Sequence, residues 1–240
     1  MRRGLIMAVA VLASCAGAEP PEGSLRPESR GSEVSTEEGG GLFSSLRPLF
    51  RSQKAERLSA KERRLLAKGA VCGDIAIQGE AIGRVPGSGG CGIENAVRVR
   101  SVAGVNLSQS ATIDCVTATA LRRWVETSAR PALSREGGGL AGLRVAAHYT
   151  CRSRNNQPGA KMSEHGLGRA IDISGFRLAN GSEVSVLEGY GSRAVGKPLA
   201  KMRGDACGIF GTVLGPGSDG FHEDHFHFDT ARHRNGSYCR

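Results

Sequence analysis

No stretch of this 240-residue chain approaches the roughly 18 consecutive apolar residues of a membrane-spanning helix, which excludes a polytopic membrane protein. Aromatic residues make up only 5%, too few for a platform on which nucleic-acid bases stack. The net charge is +9, yet no run of five like charges occurs. A phosphate-tracking stripe is therefore missing, and no nucleic-acid partner is expected. No two cysteines stand in a CxxC pair, so a zinc ribbon is excluded. Internal repeats are absent as well.

What is present begins with an export signal. Arg2 and Arg3 precede an apolar stretch from Gly4 to Ala13, too short to cross a bilayer but right for a signal peptide. It ends in Leu12-Ala13-Ser14-Cys15, which resembles the lipobox of bacterial lipoproteins. Lipidation of Cys15 would anchor the chain to a membrane; cleavage near Ala16-Gly17-Ala18 is the alternative. Residues 16–70 are mostly polar and read as a tether that cannot bury enough surface to offset its ordering entropy. Within them, Leu42 to Phe50 is mildly apolar, and Glu56 to Lys68 predicts one short basic helix. A folded domain is expected over residues 71–240.

Six cysteines fall in that domain: Cys72, Cys91, Cys115, Cys151, Cys207 and Cys239. An even number in an exported chain predicts disulfides. Pairing of sequence neighbours gives Cys72–Cys91, Cys115–Cys151 and Cys207–Cys239.

Val97-Arg98-Val99-Arg100 alternates as a half-buried strand does. Ser108 to Ala129 predicts a helix capped by Ser110 or Thr112, with Pro131 and the following glycines stopping it. Strands are expected at Leu143–Cys151, Ala170–Leu178, Gly208–Leu214 and His225–Asp229, and a second helix at Arg193–Ala206. Asn180-Gly181 is a hairpin signal, with Glu183 to Leu187 as the return strand. The expected class is α+β, with a small, mostly antiparallel sheet and flanking helices.

Chemistry concentrates in two segments. In Phe221-His222-Glu223-Asp224-His225-Phe226-His227-Phe228-Asp229, a strand places His225, His227 and Asp229 on one face, and Phe226 and Phe228 on the other. In Ser163-Glu164-His165-Gly166-Leu167-Gly168-Arg169-Ala170-Ile171-Asp172, the glycines permit a tight turn that lets His165 and Asp172 converge. Two ligands from one segment and a histidine from the other leave a fourth position open, as in catalytic zinc sites.

At these residues the sequence resembles the LAS metallopeptidases, the lysostaphin-type and D-Ala-D-Ala peptidases with the hedgehog-like domain. The motif is Ser163-x-His165-x-x-Gly168-x-Ala170-x-Asp172 with a late His225-x-His227. From Cys72 to Cys239 the chain is more similar still to the bacterial extensin-like C-terminal domain. Tyr149-x-Cys151-Arg152, Gly175-Phe176, Leu214-Gly215-Pro216-Gly217 and Asp224-His225-Phe226-His227-Phe228-Asp229 carry that likeness. The resemblance implies zinc held by His165, Asp172 and His227, and peptidoglycan as the partner. It implies catalytic help from His225, the endopeptidase position, or Asp224, the carboxypeptidase position. Arg152 falls where a guanidinium would grip a substrate carboxylate. Ser163 would contact substrate or cap a turn, while His148, His222 and His233 are read as structural or surface residues. The leading expectation is a zinc peptidase of the envelope; the alternative is a non-catalytic wall-peptide binding or structural module.

Overall fold

Val97 and Val99 are buried while Arg98 and Arg100 are exposed, so the alternation read there does form a strand. The computed structural model describes Arg64 and residues 69–240. The signal peptide with Cys15 and, apart from Arg64, the tether through residue 68 with its short helix lie outside the described residues. The strands are β1 (Ala70–Val71), β2 (Asp74–Pro86), β3 (Gly92–Val102), β4 (Val105–Asp114), β5 (Leu140–Ala147), β6 (Ala170–Leu178), β7 (Glu183–Ser185), β8 (Thr212–Leu214), β9 (Phe226–Asp229) and β10 (Tyr238–Cys239). They form one sheet of order β1-β2-β3-β4-β5-β6-β9-β8-β10, with β7 paired to β6. All pairs are antiparallel except β4–β5 and β8–β10. The mostly antiparallel sheet is as expected; its ten strands are more than the small sheet foreseen.

The helices are α1 (Cys115–Trp124), α2 (Val186–Gly189) and α3 (Gly196–Ala206). The expected helix over 108–129 is corrected at its first half. Val105, Leu107, Ala111 and Ile113 are buried with exposed or half-buried residues between them, a period near two, and they form β4. Asp114, rather than Ser110 or Thr112, caps α1, its carboxylate accepting the Thr117 N–H at 2.7 Å. Beyond Trp124 the helix widens into a π-helical stretch, Val125–Ala129, before a last turn at Arg130–Ala132. The hairpin at Asn180-Gly181 forms, with Gly181 at φ 86° and Arg177 opposite Glu183, but its return strand ends at Ser185 because α2 begins at Val186, short of the expected Leu187.

The core lies between the sheet and the helices α1 and α3. Trp124 is fully buried and donates its indole N–H to the Met202 carbonyl at 2.8 Å. Phe228 meets the Trp124 edge at 4.9 Å and stacks on Phe210 at 4.8 Å, with Phe226 beside it at 6.0 Å. The alternation of β9 thus drives its two phenylalanines into the core. His227 and Asp229 are thereby turned to the opposite face.

Three disulfides staple the domain: Cys72–Cys115, Cys91–Cys151 and Cys207–Cys239. Only the last follows the neighbour pairing; the other two expected pairs are exchanged. Loop-closure cost rises by only about 0.6 kcal/mol per doubling of loop length, so sheet topology, which sets the turn before β3 against the loop after β5, decides instead.

Candidate metal centre

Asp172 and His227 occupy directly opposed positions on the paired strands β6 and β9. Opposed residues of an antiparallel pair share a face and approach closely, and the Asp172 Oδ1 to His227 Nδ1 distance is 2.8 Å. The third member arrives from the turn that feeds β6. Ser163 caps the 3-10 turn Glu164–Leu167, its hydroxyl accepting the His165 N–H, and Gly168 closes that turn at φ 67°. This delivers His165 Nε2 to 3.1 Å from Asp172 Oδ2 and 3.2 Å from His227 Nδ1. The three ligand atoms lie within 4.8 Å of one another. All three residues are buried, at 1%, 4% and 8% exposure for His165, Asp172 and His227.

The outer hydrogen bonds fix which nitrogens remain. A carbonyl only accepts, so His165 donates its Nδ1–H to the His148 backbone oxygen at 2.8 Å and presents the Nε2 lone pair inward. His227 donates its Nε2–H to Asp229 Oδ2 at 3.1 Å and presents Nδ1. Two imidazole lone pairs and a carboxylate then face one point. Three acceptors so placed repel unless a cation sits among them. These outward carbonyl and carboxylate partners are the arrangement that orients histidine ligands at metal sites. The donor set of two imidazoles and one carboxylate suits zinc.

In the metal-free protein a proton takes that role. Burial disfavours a charged His227, but its bonds to Asp172 and Asp229 outweigh this and raise it from 6.5 to about 9. Burial likewise opposes the Asp172 charge, yet its contacts with His165 and His227 hold its carboxyl far below the usual range.

The remaining expected residues surround the cluster unequally. His225 directs Nε2 to 3.7 Å from Asp172 Oδ2, while its Nδ1–H is held by Asp224 Oδ1 at 2.7 Å. The Asp224 side chain is itself 66% exposed. Asp224 therefore meets the cluster through His225 rather than directly. Arg152 and Ser163 line the same cavity of about 150 Å³ as His165 and His227. The Ser163 hydroxyl serves as the turn cap. Arg152 has no ion-pair partner among the described residues, so its guanidinium is free for a ligand.

Sequence reading missed three contributors. The sequence marks His222 as structural or surface, yet it is buried beside the cluster, its ring 5.5 Å from His227 and 5.2 Å from His225. Asp219 accepts its Nδ1–H at 2.6 Å. Burial pushes the His222 pKa down against the pull of Asp219, with His227 and His225 adding to the fall. The offset His222-x-x-His225-x-His227 was the only signal for this residue. Asp229 was placed on the right face but given no role. The His148 carbonyl is a backbone group that no side-chain pattern announces. His233 donates to or accepts from Thr212 Oγ1 at 2.9 Å at the cavity wall.

The family described as extensin-like protein C-terminus matches residues 73–240. The chain belongs to this family. Every residue of the cluster falls inside the extensin-like span. Comparison with curated proteins and with solved structures gives no match.

Proposed function

We propose that this extensin-like domain is a zinc-dependent peptidase of the LAS type that hydrolyses stem or cross-link peptides of peptidoglycan. The observation that carries the reading is the inward convergence of His165 Nε2, Asp172 and His227 Nδ1, with their outer atoms already engaged. Zinc bound there would lower the pKa of its water to about 7 and polarise a scissile carbonyl.

The chain's own groups supply the rest. Asp224 fixes His225 with Nδ1–H outward, leaving Nε2 as a proton acceptor facing the ligand Asp172. An imidazole is the stronger base near neutrality, which favours His225 over a carboxylate for taking a proton and passing it to the leaving amine. Asp224 then acts by orienting the ring and stabilising its cation. His222, its Nδ1–H held by Asp219, stands beside His225 with Nε2 left as an acceptor for a substrate N–H. Arg152, at the wall of the same cavity, would grip a substrate carboxylate bidentately. An oxidising, envelope location accords with the three disulfides, with membrane attachment through Cys15 as part of the same proposal.

The test is incubation of the purified protein with muropeptides, with and without chelator, and product identification by mass. Hydrolysis is expected only with zinc, and His225→Ala should lower turnover about 10²-fold or more while retaining the metal. Wild-type protein that binds muropeptides and never cleaves them would mark a binding module instead.

A further inference from the structure

The cavity at the cluster does not end there. It shares Glu164 and His233 with a neighbouring cavity of about 600 Å³, which in turn shares Arg232, His233 and Val116 with one of about 550 Å³. A continuous groove thus leads from the cluster along the segment after β9 to the first turns of α1. Glu164 is spent within the protein: its carboxylate stands 3.6 Å from Arg154 and 4.0 Å from Arg169, and its Oε2 is closed to solvent. Further along, Arg232 and Arg123 are exposed and have no ion-pair partner among the described residues. Asp114, an acid that lines the groove with Arg232, is engaged as the cap of α1. Exposed Val116, at 62%, adds an apolar contact to the lining that Arg232 shares.

We propose that this groove holds the remainder of the substrate, a peptide that carries a free carboxylate at a distance from the bond that reacts. This rests on the reading of the cluster as the reacting end. A carboxylate pairs with the guanidinium groups of Arg232 and Arg123, where an uncharged or basic peptide would leave two cations unanswered. Specificity then has two components, a bond chosen at the cluster and an acidic side chain or terminus chosen in the groove.

Binding, measured without catalysis, separates the two. A fluorescent synthetic peptide with one internal glutamate and its glutamine counterpart are titrated into the chelator-treated full chain. The glutamate peptide should bind about tenfold more tightly, and the double variant Arg123→Gln/Arg232→Gln should erase that difference. Both side chains are exposed, and an unchanged melting temperature verifies the fold of the variant. Equal affinity for the two peptides, or a preference that survives in the double variant, overturns the proposal. A preference that is present in a protein unable to bind zinc or hydrolyse muropeptides would sustain the groove and refute the cluster reading; active protein with no preference would do the reverse.

Discussion

An imidazole whose outer nitrogen is committed has one nitrogen left to offer, and at this site two such rings offer it to the same carboxylate. His148 and Asp229 make that commitment for His165 and His227. The arrangement has a consequence for the metal-free protein. His227 in the folded state titrates at about 9, above the 6.5 of an ordinary histidine, because its contacts with Asp172 and Asp229 outweigh burial. A raised folded-state value means that the proton stabilises the fold in full below about pH 6.5, and that this contribution is lost as the pH climbs through 9. The shift corresponds to stabilisation on the order of 3 kcal/mol; the depressed Asp172 value reflects the same ion pair and adds no separate amount. Chelator-treated protein should therefore lose thermal stability between pH 6.5 and 9.5, while zinc-loaded protein, in which the ion replaces the proton, should show a flatter profile. Identical profiles for the two forms would contradict this account of the cluster.

At the scale of elements, the site is a matter of register and one turn. Pairing of β6 with β9 sets Asp172 opposite His227, and the turn Glu164–Leu167 folds His165 back over them. Gly168 permits that turn: its φ is 67°, and a Cβ there would run into the Ile93 side chain. Gly166 has a related role, since a Cβ would press on the Cys91 and Met162 sulfurs. Gly168→Ala should cost about 1–3 kcal/mol in urea unfolding through combined backbone strain and overpacking. It should also weaken zinc binding about tenfold by displacing His165; a variant with unchanged stability and zinc affinity would show that the turn does not position the ligand. This scale also explains what the sequence made legible. Alternation in residues 225–229 encodes faces directly, so the wall of His225, His227 and Asp229 against Phe226 and Phe228 could be read. The segment 105–114 misled because Ile113, Val116 and Leu121 mimic helical spacing, although Ile113 belongs to a strand and Val116 is exposed. His222 lies in a turn before β9, where no period tells which way a side chain faces.

The whole molecule divides its tasks between the two faces of its central strands. Phe226, Phe228, Phe176 and Trp124 form the packed side, while the opposite side carries the cluster. Cys72–Cys115 joins the turn between β1 and β2 to the start of α1, and Cys91–Cys151 ends one residue before Arg152, tying the free guanidinium to the rest of the domain. Sequence reading recovered the number of bridges but not two of the partners, because connectivity is a property of the assembled sheet. The central claim is that this scaffold exists to hold a metal ion at three converging side chains. It is tested most directly by metal analysis with X-ray absorption at the zinc edge on the purified full chain, beside Asp172→Ala and His227→Ala. The account predicts one zinc per wild-type chain, with nitrogen and oxygen ligands at about 2.0–2.2 Å, and loss of stoichiometric zinc in both variants. Folded wild-type protein that takes up no stoichiometric zinc, or variants that keep it in the same coordination, would contradict it.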